Sequence, residues 1–109
     1  MDKTIIYLSG PIRGVENYEQ VFEDAEKEYT GIDTVALNPA RILKGTEDRD
    51  CLPVCLQLIE LADIVVLLPG WQQSLGACTE ALYALRQNKK VYNYEDHRVE
   101  WIGGRFVYG

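Results

Sequence analysis

The chain is 109 residues long and 47% hydrophobic, apolar enough for a packed core and too apolar for a disordered segment. Its 17 acidic against 11 basic side chains leave a net charge of −6, which disfavours a nucleic-acid polymer as partner, since phosphate binding needs clustered Lys and Arg. A small anionic ligand stays within reach, since one Arg and a few backbone N–H groups can hold a single phosphate.

Thr4-Ile5-Ile6-Tyr7-Leu8 is a continuous β-rich run that stops at Ser9-Gly10-Pro11, the pattern of a strand buried on both faces and followed by a sharp turn. The run is too short for a signal peptide or a membrane span, so a cytoplasmic chain with no membrane contact is expected. Tyr18, Val21, Phe22, Ala25 and Tyr29 then fall on one face of an amphipathic helix, stopped by Gly31. Thr34 to Leu37 reads as a second strand ended by Asn38-Pro39, and residues 40–50 as a polar loop. Leu52, Leu56, Ile59 and Ala62 mark a second helix, with Pro53 tolerable in its first turn. Asp63 to Leu68 is the strongest strand, closed by Pro69-Gly70. Asp63 opens that strand rather than closing it, which makes it structural. A third helix is expected over Leu75 to Gln87, with Cys78, Ala81, Leu82 and Leu85 inward, and a last strand over Lys90 to Tyr94. The tail, 95–109, is charged, then aromatic and Gly-rich, and fits no element.

Strands alternating with helices imply one α/β domain over residues 1–109, a doubly wound parallel sheet of flavodoxin-like or Rossmann-like order. Such sheets bind ligands at the carboxyl ends of their strands, here just after residues 8, 37, 68 and 94. A core this small buries limited area, so a homodimer or larger homo-oligomer is expected, with 95–109 as a possible contact. Cys51 and Cys55 stand four apart, but His97 is the lone histidine and lies far along the chain. The three cysteines therefore read as reduced structural thiols, with no metal and no organic cofactor implied.

Two loops could carry chemistry. In the first, Gly10 and Gly14 flank Arg13. The glycines let backbone approach a ligand, and the Arg could fork onto a phosphate or carboxylate, or simply be solvated. In the other, Ser74 sits where a helix N-cap belongs, and Gly76 and Glu80 share a face of the helix it opens. Glu80 beside a wall of Trp71 and Tyr83 is placed to act on a bound molecule as a protonated acid or a nucleophile. Trp71 could stack on a base or cap the core.

With these loops assembled, the chain resembles the nucleoside 2-deoxyribosyltransferase-like superfamily, above all its short bacterial and phage branch related to 2′-deoxynucleoside 5′-phosphate N-hydrolases. The residues that carry this are Ile6 to Gly14, Asn17-Tyr18, Phe22, Asn38-Pro39-Ala40, and Ala62 to Trp71 running on through Ser74, Gly76-Ala77 and Glu80. The resemblance implies cleavage or exchange of the N-glycosidic bond of a deoxyribonucleoside or its 5′-monophosphate. It implies Glu80 as nucleophile, Tyr7 as the group that orients it, and Gly10, Arg13 and Ser74 as phosphate-binding residues. It also implies an Asp that assists departure of the base, eight residues before Asp63, where this chain has Cys55. Asp50 is near in sequence but falls on another helix face. A serine of the phosphate loop is likewise replaced, by Pro11. Three expectations therefore stand side by side: an N-glycosidase or transferase, a protein that binds a nucleotide without turning it over, and a structural or partner-binding α/β domain in which the motif serves packing alone.

Overall fold

The computed structural model of the chain describes residues 2–45 and 48–109, with residues 48–50 described by backbone alone. Strand β1 (Thr4–Ser9) pairs in parallel with β2 (Thr34–Leu37) on one side and β3 (Ile64–Leu67) on the other, and β4 (Lys90–Asn93) joins β3. The order β2-β1-β3-β4 is that of a doubly wound α/β sheet, as the alternation of elements implies. Strand periodicity explains the two layers. Ile6 and Leu8 of β1 and Val66 and Leu68 on the β3 side pack with Phe22 of helix α1 (Tyr18–Tyr29). The alternate residues, Tyr7, Val65 and Leu67, face the other layer.

Between β2 and that other layer runs a short helix, α2 (Pro39–Ile42), then α3 (Asp48–Leu61). Helix α4 (Leu75–Arg86) follows β3 through a turn of 3-10 helix, Trp71–Gln73. Ile59 of α3 and Ala81 of α4 close the core against Tyr7 and Val65. Each large apolar side chain buried this way contributes about 1.5–3 kcal/mol. Asp63 is structural in the sense expected of it. Its carboxylate accepts the Ile5 N–H at 2.8 Å and its own N–H donates to the Ile5 carbonyl at 2.8 Å, which sets the register of β3 on β1.

Three expectations need correction. Residues 40–50 are not one loop: Asn38 caps α2 by accepting the Arg41 N–H at 3.3 Å, with Pro39 in the first turn, and α3 begins at Asp48. Asn-Pro here opens a helix, since Pro needs no N–H at that position. On α4, Ala81 is buried and Cys78 and Leu85 pack partly buried against the core as expected, but Leu82 is 39% exposed, and Ala77, Glu80 and Ala84 complete the buried face. The small buried residues let the helix lie close on the sheet. The tail is structured: β5 (Glu100–Ile102) and β6 (Arg105–Val107) form an antiparallel hairpin. Among the described residues no helix is long and apolar enough to cross a membrane.

Candidate active site

A cleft of about 550 Å³ opens at the carboxyl ends of β1, β2 and β3, over the β1–β3 boundary where strand order reverses. Loops after β1, β2 and β3 line it, but nothing after β4 does, because the chain there turns into the hairpin. Its lining mixes polar side chains, Arg13, Ser74 and Glu80 among them, with apolar ones such as Tyr18, Phe22 and Leu52.

Glu80 lies on the sheet-facing side of α4 and is only 9% exposed. Two hydroxyls from β1 reach its Oε1: Tyr7 donates at 3.1 Å and Ser9 at 2.7 Å. They are two residues apart on one strand, so both point to the same layer. The Cys55 thiol of α3 lies beside Glu80 and Tyr7. Burial pushes the Glu80 carboxyl above its ordinary range, and the hydrogen bonds from Ser9, Tyr7 and Cys55 pull part of the way back. The same burial, with Glu80 alongside, pushes the Tyr7 phenol well up. Burial pushes the Cys55 thiol up to about 12, so it stays protonated at neutral pH. The arrangement is a buried carboxylate, held by donors on one side and open to a cleft, able to serve as acid, base or nucleophile.

Ser74 caps α4, its Oγ accepting the Ala77 N–H at 3.1 Å. The other first-turn N–H groups lie at the positive end of the dipole of a 12-residue helix. Arg13 lines the same cleft from the β1 loop, and Lys44 from the segment after α2. A Cβ on Gly76 would meet only Ser74 Oγ, at 3.9 Å. The absent side chain therefore leaves room in the cleft itself. Gly10 has another cause: a Cβ there would stand 2.9 Å from Leu68 Cβ. The close approach that demands glycine is between the ends of β1 and β3.

The structure brings Tyr7, Gly10, Arg13, Ser74, Gly76 and Glu80 to one cleft and leaves Trp71 out of it. The Trp71 side chain is fully buried, with Phe106 and Tyr108 of the hairpin edge-on at 5.1 and 5.3 Å. It caps the core and cannot stack on a ligand in the cleft. Tyr83 is also absent from the wall, its hydroxyl donating instead to Glu60 at 2.8 Å. Asp50 lies outside the residues whose side chains are described. Sequence reasoning missed Ser9 and Lys44. The period of two from Tyr7 would have found Ser9, whereas Lys44 sits in a segment with no pattern to place it.

The fold is shared with a 2-desoxiribosyltransferase from Leishmania mexicana, at a TM-score of 0.68 and 20% identity. The match covers 84% of this chain and 63% of that one, so this chain spans less than two thirds of that enzyme's length. No curated protein matches the sequence. Residues 4–93 match the family described as "Domain of unknown function (DUF4406)", a span that takes in the whole parallel sheet and every cleft residue named above, and the chain belongs to that family.

Proposed function

We propose that the protein cleaves or transfers the N-glycosidic bond of a deoxyribonucleoside or its 5′-monophosphate, with Glu80 as nucleophile. The observation that carries this is Glu80 itself, buried at a cleft wall with Oε1 held by Tyr7 and Ser9. A carboxylate so held needs no reorganisation to attack, and covalent catalysis splits one hard displacement into two easier ones. Tyr7 orients it. Arg13, Ser74 and the N-terminus of α4 suit a 5′-phosphate, and Gly10 and Gly76 keep the approach clear. The apolar part of the lining, with Tyr18 and Leu52, suits a flat base. The shared fold with a 2-desoxiribosyltransferase is consistent with this chemistry.

A second reading has its own observation. Cys55, a protonated thiol touching Glu80, is a poor proton donor to a departing base compared with a carboxylic acid. On that reading the cleft binds a nucleotide and does not turn it over. One assay separates the two. Purified protein is incubated with deoxynucleosides and their monophosphates, with and without a second free base, and products are resolved by chromatography. Free base formed by the wild type and not by Glu80→Ala supports the enzyme, and an exchanged base identifies transfer. Thermal stabilisation by a nucleotide with no product supports the binding protein.

A further inference from the structure

We infer that Ser9 is a positioning residue for Glu80: together with Tyr7 it holds Oε1, so that Oε2 is the oxygen that attacks. The inference rests on the nucleophile reading and goes beyond it by distinguishing the two carboxylate oxygens. Ser9 is 1% exposed, and its 2.7 Å hydrogen bond to Oε1 is shorter than the 3.1 Å bond from Tyr7. Neither hydroxyl donates to Oε2 in these bonds. Ser9 is also fixed from behind. It ends β1 opposite Leu67, and its carbonyl accepts the Leu68 N–H at 2.7 Å. The donor is therefore held by the rigid centre of the sheet rather than by a mobile loop.

The chemistry assigns a task to that geometry. In the first step a bond forms between Oε2 and the anomeric carbon while the carbon–nitrogen bond breaks. The base leaves with the electron pair and takes up a proton from water. Oε1 is then the ester carbonyl oxygen. In the second step water, or another base, attacks the anomeric carbon and gives up a proton to solvent, restoring the one the first step drew from water, while the bond to Oε2 breaks and its electron pair returns to the carboxylate. Charge recovered in that second step is shared with Oε1, where two hydroxyls already stand. Of the titratable groups among the described residues, Tyr7 from β1 and Cys55 from α3 touch Glu80. Both stay protonated at neutral pH because burial raises them.

The test uses full-length Ser9→Ala and Ser9→Thr, each checked for a cooperative melt. The Glu80 carboxyl is titrated by carbon NMR, its signal assigned with Glu80→Gln, and the pH profile of base release is recorded alongside. Loss of a donor to the charged form should move the Ser9→Ala titration up by about one pH unit. The acid limb of the rate should move with it, and kcat should fall about tenfold with KM nearly unchanged. Ser9→Thr, which keeps the hydroxyl, should restore both. A folded Ser9→Ala protein with an unmoved Glu80 titration overturns the inference, as does a Ser9→Thr protein that behaves like Ser9→Ala. If Ser9→Ala does not fold, Ser9→Cys, a weaker donor of similar shape, must shift the titration in the same direction. If the wild type releases no base at all, the nucleophile reading fails, and the titration alone still decides whether Ser9 governs Glu80.

Discussion

Tyr7 and Glu80 are 73 residues apart in sequence, and the hydrogen bond between them is buried. It ties the central strand to the helix on its face and places a charge where a core residue belongs. A fold accepts this only when donors are supplied, and even then at a cost in stability.

That cost has a predicted pH dependence. The folded protein raises the Glu80 carboxyl above its unfolded value, so between those two values the folded state holds more protons than the unfolded state. Stability is then undiminished below the unfolded value and falls as pH rises through the folded one. Glu80→Gln keeps an acceptor for Tyr7 and Ser9 and removes the buried charge. It should be more stable than wild type at neutral pH by roughly 0.5–2 kcal/mol, with the gap closing as pH falls, and it should release no base. Thermal melts across pH check this. A variant less stable than wild type at neutral pH would show that the carboxylate is well solvated or better paired than its burial implies.

Cys55 is the second test. Aspartate at this position would place a carboxyl group against Glu80, and two carboxylates in one buried site cannot both ionise readily. One of them would hold a proton at neutral pH and could pass it to a departing base. Cys55→Asp should raise the rate of base release about a hundredfold if proton donation limits the wild type. It should also lower stability by about 2 kcal/mol at neutral pH. An unchanged rate in a folded variant means that the thiol is not what limits turnover.

The sheet and most of its ligand-binding end were legible in the sequence for a physical reason. Buried parallel strands such as Ile64 to Leu67 write themselves as unbroken apolar runs, and strand-end loops follow from connection rules. What could not be seen is the local rotation of α4. Leu82 adds apolar weight to that helix, so an amphipathic reading turns it inward with Ala81 and Leu85. In the fold Ala81 and Leu85 do pack on the core, but Leu82 is exposed, and the small Ala77 and Ala84 and the charged Glu80 take the buried face. Trp71 was ambiguous for a related reason. Its burial depends on the hairpin around Phe106, a contact that no local pattern announces.

Gly76 separates the stability of α4 from the use of its cleft. A methyl group there has open space, with Ser74 Oγ its nearest contact at 3.9 Å. Gly76→Ala should therefore gain about 0.5–1 kcal/mol from helix propensity, while filling the approach to Glu80. We expect a higher melting temperature together with about tenfold weaker binding of deoxynucleotides, both measurable on one sample by melting and calorimetry. Unaltered affinity would mean that the ligand does not pass this residue.

Arg13 tests the phosphate preference. It lines the same cleft as Ser74 at the start of α4, where a charge-assisted bond to a phosphate adds to the helix dipole. Arg13→Ala should weaken binding of deoxynucleoside monophosphates about tenfold or more and leave the nucleosides nearly unaffected. Equal losses for both classes would assign Arg13 to sugar or base contacts and remove the argument for a nucleotide substrate.

The hairpin supplies the last prediction. Trp71 Nε1 is buried without a hydrogen-bond acceptor among the described residues, a cost that the fold offsets by packing the indole against Phe106 and Tyr108. Trp71 belongs to the turn that runs directly into Ser74 and the start of α4, so the hairpin braces one wall of the cleft from behind. Phe106→Ala removes the closer ring and should cost about 2–3 kcal/mol. It should also expose Trp71 to water, seen as a red shift of tryptophan emission, with Trp101→Phe as the background because Trp101 is already partly exposed. Ligand affinity should fall along with stability, although Phe106 is not among the residues that line the cleft. A destabilised variant with full affinity would show that the turn before α4 holds its shape without the hairpin, and that the brace serves the core alone.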